Sequence, residues 1–162
     1  MDSKANSKVK LYIERAENEF RLGKAIFNLS EKENLKTELE ANPEDTFYSA
    51  AISHSYYAIF YSAKAILLSK NIKTEPPEEH KKTLDEFKKH FVDTGVLDNE
   101  LLKIYEEMAI RAHELLNLFA LEKWKRGHFT YHTIAQANIE PAKESINNSR
   151  KFLTSIKKVL EK

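Results

Sequence analysis

The sequence has no cysteine, and this absence excludes disulfide bridges, thiolate metal sites and a cysteine nucleophile. Only 3 of its 162 residues are glycine and 4 are proline, too few for the many tight turns of a sheet-rich chain. No apolar run approaches the roughly 18 residues that span a bilayer, and the polar segment from Met1 to Lys10 lacks the apolar centre of a signal peptide. We therefore expect one helical domain over residues 1–162, cytoplasmic and without a membrane segment.

The sequence also lacks a large excess of charge of either sign. The 26 Lys and Arg residues almost balance the 25 Asp and Glu residues, which leaves a formal net charge of +1. A chain this close to neutral has no overall attraction to nucleic acid, so any binding of RNA must come from a local basic patch.

Apolar residues recur at helical spacing in four long segments and one short one. The predicted helices cover about residues 7–29, 45–70, 79–92, 98–126 and 139–161, with Asp45 and Asp98 as N-caps. The segment from Ser30 to Pro43 is highly charged with few apolar residues, and we interpret it as a connector with room for a short helical turn. We therefore predict an all-α fold, an up-and-down antiparallel bundle of four long helices plus one short helix.

The second predicted helix is apolar on nearly all sides, which indicates a central and buried position. Its small residues should let neighbouring helices approach closely, and we expect its tyrosines in the core or in dimer contacts. His54 within it is expected to be a hydrogen-bonded core or interface residue. On the fourth helix, Arg111 is expected to pair with Glu107 or Glu114, which lie one turn away. The small residues are Ser49, Ala50, Ala51, Ser53, Ser55, Ala58, Ser62, Ala63 and Ala65.

Three segments resemble the HEPN domain family. Residues 50–70, AAISHSYYAIFYSAKAILLSK, look like its signature helix, with a Tyr-Tyr-Ala step followed by an aromatic residue and Ala-Lys-Ala. His80 and then FKKHFVDTG at residues 87–95 resemble the short helix that follows this signature, and residues 138–160 resemble the closing helix. The resemblance covers roughly residues 46–160.

The resemblance implies a helical bundle that is usually a homodimer. Many HEPN proteins are encoded beside a minimal nucleotidyltransferase and bind it, and some are metal-independent ribonucleases that act as toxins. Active members carry an arginine, four to six residues of any type, and then a histidine. The resemblance thus implies an RNA-binding protein of the toxin–antitoxin kind that needs no cofactor.

Arg126 and His132 fit this motif, because five residues separate them. RNA cleavage without a metal needs a base for the 2′-OH and an acid for the leaving 5′-oxygen, and histidine can serve as either at neutral pH. A fixed guanidinium can stabilise the charge that develops on the phosphate. One pair gives one acid or base, whereas a symmetric dimer could bring two pairs to one cleft.

The same segment also fits a second interpretation. Gly127 stands where active members usually have a polar residue, and Tyr131 is the fifth residue after Arg126, as in many relatives that are not established nucleases. On this interpretation the chain is a non-catalytic HEPN module that binds nucleotide, RNA or a nucleotidyltransferase partner, or a structural dimer. His128 and Tyr131 are the other candidate catalytic or binding residues. His128 and His132 would suit a metal only on a helix, which Gly127 disfavours, so no metal site is predicted.

Basic and aromatic residues interleave next to this motif. Such a mixture can bind phosphates and stack on bases, and it can equally cover the end of the core with charged ends in water. The basic residues of the last helix are expected to be a solvated face. The candidate RNA- or nucleotide-binding residues are Lys123, Trp124, Lys125 and Phe129.

Overall fold

A computed structural model describes residues 3–116 and 139–162. The predicted all-α fold is confirmed, because these residues form six α-helices and contain no strand. Four helices are long and two are short, and a π-helical turn, Lys88–Val92, continues the fourth. The helices are α1 (Ser3–Glu31), α2 (Glu33–Glu38), α3 (Tyr48–Ser69), α4 (Glu79–Phe87), α5 (Asn99–Leu116) and α6 (Ile139–Leu160).

Helix α3 lies at the centre of the bundle, as its apolar character predicts. It contacts α1, α4, α5 and α6, and Tyr56, Ile59 and Ile66 along it are fully buried. Apolar side chains on more than one face have to be covered by helices on more than one side, which accounts for this position.

The small residues of α3 meet a matching row on α1. The buried residues of α1 recur every seven positions, and Gly23 is one of them. A Cβ built on Gly23 would lie 3.2 Å from the carbonyl oxygen of Ala51 and 3.3 Å from Ser55 Oγ. The two backbones are therefore packed almost as closely as side chains permit. The buried row of α1 is Val9, Ala16, Gly23 and Ser30.

Aromatic rings join α4, α5 and α6. The ring of Phe87 lies 5.5 Å from that of Tyr105 and 5.3 Å from that of Phe152, and Tyr105 and Phe152 meet edge to face at 5.6 Å. All three side chains are fully buried. Rings of this size bury much of the apolar area of a core, and such edge-to-face contacts add to that stabilisation.

The start of α3 differs from the prediction. The helix begins at Tyr48, because the Asp45 carboxylate accepts a hydrogen bond from the Asn42 amide (2.9 Å) and not from a helical N–H. Ser30 of α1 accepts the Phe47 amide instead, at 2.7 Å. The start of α3 is thus capped by a side chain of another helix and not by Asp45, the local cap that the sequence predicts.

Helix α1 begins at Ser3, four residues before its predicted start, whereas the bounds of α4 with its π-helical turn, the start of α5 and the bounds of α6 agree within one residue. Gly95 follows the π-helical turn with a positive φ of 77°, which glycine adopts readily, and Asp98 directly precedes α5. The predicted fourth helix extends to Arg126, and its part beyond Leu116 lies outside the described residues. Within the two described ranges, no helix is long and apolar enough to cross a membrane.

Candidate functional site

All of the predicted site residues fall between α5 and α6, outside the described residues. Their positions relative to one another therefore stay predictions. The structure does describe the two helix ends to which this segment is attached. The residues concerned are Arg126, His132, His128, Tyr131, Lys123, Trp124, Lys125 and Phe129.

The C-terminal end of α5 and the N-terminal end of α6 meet beside the start of α3. Leu115 from α5 and Ala142 from α6 belong to one apolar cluster with Tyr48 and Ile52 of α3, and Tyr48, Ile52 and Ala142 are buried in it. The two helix ends that flank residues 117–138 thus lie at the same end of the bundle.

An ion pair also ties these two helix ends together. Arg111 Nη2 lies 2.9 Å from Glu144 Oε2, and its Nη1 donates to Ser145 Oγ at 3.2 Å. The Arg111 side chain is only 12 % exposed, whereas that of Glu144 is 53 % exposed. The sequence-based assignment of Glu107 or Glu114 as the partner of Arg111 is wrong, because α6 packs close enough to α5 to offer a nearer carboxylate.

Two further polar side chains lie in the last turn of α5. His113 is buried, with 4 % of its surface exposed. Glu114 Oε1 is also buried, and no hydrogen-bond partner for it occurs in residues 3–116 and 139–162. Buried polar atoms normally have partners, so this end of α5 offers a carboxylate oxygen that can accept one more hydrogen bond.

A second polar site lies between α3 and α4. The Tyr56 hydroxyl and His80 Nδ1 share a hydrogen bond of 2.9 Å, and the His80 ring stacks on Phe60 at 4.1 Å. Burial lowers the pKa of His80 below its ordinary value of 6.5, because the apolar surroundings disfavour the charged imidazolium. Burial likewise raises the pKa of Tyr56. The side chains come from positions 24 residues apart, and no spacing rule in the sequence links them.

The tyrosines and the histidine of α3 largely agree with the prediction. His54 Nδ1 lies 2.6 Å from Glu19 Oε2, so His54 is hydrogen-bonded as expected. Tyr48 is buried and donates to Glu31 Oε1 at 2.6 Å, and burial together with this carboxylate raises the pKa of Tyr48 to about 12. Tyr57 is only half-buried, with its ring tilted against Tyr56 at 5.8 Å.

The basic residues of α6 mostly face solvent. Lys151 pairs with Glu100 of α5, and Lys157 pairs with Glu17 of α1. Lys143, Arg150 and Lys158 are exposed. In the described part of the chain, no three His, Asp or Glu side chains lie close enough together to hold a metal ion.

Comparison with known proteins gives three relatives. "Putative toxin MJ0605" of Methanocaldococcus jannaschii is 30% identical over 118 residues, which are 73% of this chain and 75% of that protein. "Putative toxin MJ0142" of the same organism is 37% identical over 90 residues, 55% of this chain and 59% of that protein. A "UPF0332 protein" of Thermotoga maritima is 30% identical over 112 residues, 69% of this chain and 72% of that protein.

The family comparison covers nearly the whole chain. The family model described as "HEPN domain" matches residues 9–159, a range that takes in all of the helices from α2 to α5 and most of α1 and α6. This match, the helical bundle and the signature on α3 agree, and the chain belongs to the HEPN domain family.

Proposed function

We propose that this HEPN protein is the toxin of a toxin–antitoxin pair and that it is a metal-independent endoribonuclease. Two relatives carry the word toxin in their names. Arg126 and His132 have the spacing of the motif found in active HEPN ribonucleases. We propose further that the protein acts as a homodimer and that a minimal nucleotidyltransferase is its antitoxin.

The observation that best supports this proposal is the joining of α5 and α6 beside α3. Arg111 and Glu144 hold the two helix ends together, and Leu115 and Ala142 pack in one cluster. Catalytic residues are commonly carried on connecting segments that a rigid scaffold positions. Residues 126 and 132 belong to a segment with both of its ends fixed in this way.

The proposed reaction needs one base and one acid. His132 of one protomer accepts the proton of the ribose 2′-OH, and the 2′-oxygen attacks the adjacent phosphorus. The bond from phosphorus to the 5′-oxygen breaks, and the partner's His132 protonates that oxygen. The products are a 2′,3′-cyclic phosphate and a free 5′-OH, and Arg126 stabilises the negative charge on the phosphate in the transition state.

The residues around the motif have a proposed role in holding the substrate. Lys123 and Lys125 would contact phosphates, and Trp124 and Phe129 would stack on bases. His128 and Tyr131 are the remaining candidates for proton transfer or binding within the same segment.

The test is incubation of purified protein with single-stranded RNA in the presence of EDTA. We expect cleavage by the parent protein and at least a hundredfold slower cleavage by each of two variants. General acid–base catalysis by His132 contributes about 10²–10⁴-fold, which His132→Ala removes, and loss of a group that stabilises transition-state charge costs about 10²–10³-fold, which applies to Arg126→Ala. His90→Ala is the matched control, because His90 lies in the π-helical turn and pairs with Glu86 at 2.9 Å. Its rate should equal that of the parent.

Other outcomes would contradict the proposal. Binding of RNA without cleavage would favour the non-catalytic module, in which Arg126 and Tyr131 form the recognisable motif. Cleavage that survives both substitutions would remove Arg126 and His132 from the mechanism. A monomer in solution that still cleaves RNA would exclude the shared cleft.

A further inference from the structure

A cavity of about 110 Å³ lies at the other end of the bundle, between the start of α1 and the chain that follows α3. It is lined by Lys8 and Tyr12 of α1, by Lys64 and Leu68 of α3, and by residues 72–75 of the chain that follows α3. Lys64 is sixteen residues from Tyr48, so at 1.5 Å per residue the cavity is about 24 Å from the end where α5 and α6 join.

The wall formed by residues 72–75 is held in place by hydrogen bonds. Thr74 is buried, and its hydroxyl lies 2.7 Å from that of Thr83 on α4. The backbone oxygen of Thr74 accepts a hydrogen bond from Lys64 Nζ at 3.0 Å. The cavity is therefore preformed, which lowers the entropic cost of binding a ligand.

Positive charge predominates at this cavity. Lys64 pairs with Glu79, so its charge is largely compensated. Lys8 and Lys73 form no ion pair with any residue of the described ranges. Glu75 supplies the acidic group in the lining. Two uncompensated ammonium groups against one carboxylate favour an anionic ligand.

Lys64 could contribute to binding without losing its present contacts. An ammonium group has three donors, and the bonds to Thr74 and Glu79 use two of them. The side chain is only 11 % exposed, so a hydrogen bond from the third donor would form in a poorly hydrated place, where it is stronger than in water.

We propose that this cavity binds a terminal phosphate group, either of a free nucleotide or of an RNA 5′ end. A cavity of 150 Å³ holds one benzene molecule, so a volume of about 110 Å³ suits a phosphate group rather than a whole nucleotide. The organic part of the ligand then lies at the mouth, beside the half-buried ring of Tyr12, which stacks on Tyr61 at 6.2 Å.

Calorimetric titration at low ionic strength with ATP, tripolyphosphate and adenosine tests this assignment. ATP and tripolyphosphate bind, and adenosine does not. Lys8→Glu and Lys73→Glu each weaken ATP binding about tenfold, because each places a carboxylate where an ammonium group would contact the phosphate. Glu75→Gln tightens binding, because it removes the opposing carboxylate.

Lys24→Glu is the matched control. Lys24 is an exposed lysine of the same helix α1, sixteen residues beyond Lys8, so the substitution makes the same change in net charge at the other end of the bundle. Its affinity for ATP should stay within twofold of the parent. Equal losses in Lys24→Glu and Lys73→Glu, failure of ATP and tripolyphosphate to bind, or equal binding of adenosine and ATP would each overturn the proposal.

Two comparisons identify the source of the phosphate. A 5′-phosphorylated RNA oligonucleotide that binds more tightly than ATP and than its 5′-hydroxyl form would assign the cavity to RNA ends, and the reverse order would assign it to free nucleotides. Tyr12→Leu should weaken the binding of ATP and leave the binding of tripolyphosphate unchanged. This inference is independent of the ribonuclease proposal, because Lys73→Glu should leave cleavage of an RNA with a 5′-OH intact and Arg126→Ala should leave ATP binding intact.

Discussion

The close contact between α1 and α3 at Gly23 leads to a quantitative prediction. Even the Cβ of an alanine would lie 3.2 Å from the Ala51 carbonyl oxygen and 3.3 Å from Ser55 Oγ, and the two methyl groups of a valine extend further. Overpacking of this kind costs about 1–3 kcal/mol, against a gain in helix propensity of about 0.5 kcal/mol over glycine. We expect Gly23→Val to lower the free energy of unfolding by about 2 kcal/mol.

Urea unfolding followed by circular dichroism measures this loss. With a denaturant slope of about 2 kcal/mol/M, the midpoint should fall by about 1 M. Lys24→Val is the matched control, since Lys24 is the next residue and is exposed, and its midpoint should change by less than about 0.3 M because only helix propensity differs. Equal midpoints for Gly23→Val and Lys24→Val would refute the close approach of the two backbones.

Three further predictions concern buried polar groups. Tyr56→Phe should lower the free energy of unfolding by about 1 kcal/mol, because it removes the hydrogen bond to His80. Tyr105→Phe should not lower it, because the buried Tyr105 hydroxyl has no hydrogen-bond partner in the described ranges. Urea midpoints compare the two variants directly, and equal losses of stability would contradict this prediction. The pKa of His80 is lower in the folded than in the unfolded chain, so the unfolded chain binds more protons than the folded one just below pH 6.5. The stability owed to neutral His80 is therefore present above that pH and is lost as the pH falls through it. His80→Asn should reduce the drop in melting temperature between about pH 7.5 and 5.5, and an unchanged drop would exclude His80 as a cause. Arg111→Ala should lower the free energy of unfolding by about 1–2 kcal/mol, which is more than the loss expected for Glu144→Gln, because the arginine is the more buried partner. Urea unfolding curves that show the opposite order would refute this prediction.

Much of the fold could be predicted from local patterns. The helical spacing of apolar residues gave the four long helices, and the small residues of α3 indicated its close packing, because both signals lie within one segment of the chain. The π-helical turn lies inside residues 79–92, for which the spacing predicts one continuous helix without a change of helix type.

Contacts between distant segments could not be predicted in this way. Ser30 accepts a hydrogen bond from the Phe47 amide because α1 ends beside the start of α3. Arg111 prefers Glu144 to the carboxylates on its own helix for a similar reason. Spacing rules describe neighbours on one helix, whereas these partners are brought together by packing between helices.

The candidate site is predicted from a motif and not from geometry. The spacing of Arg126 and His132 is the signal that identifies them, and their segment lies outside the described residues. The cavity between α1 and the chain after α3 shows the opposite case, since Lys8 and Lys73 are far apart in the sequence and share no motif. Only the packing of α1 against the chain after α3 brings them to one cavity.

The central position of α3 has a consequence for how the protein opens. Because α1, α4, α5 and α6 all contact it, none of its buried amides can reach water until several neighbours have detached together. Hydrogen–deuterium exchange should therefore be slowest along α3 and should report there the free energy of global unfolding. Among the described helices, the six-residue helix α2 has its main contacts with α1. Its amides should therefore exchange much faster, through local fluctuations.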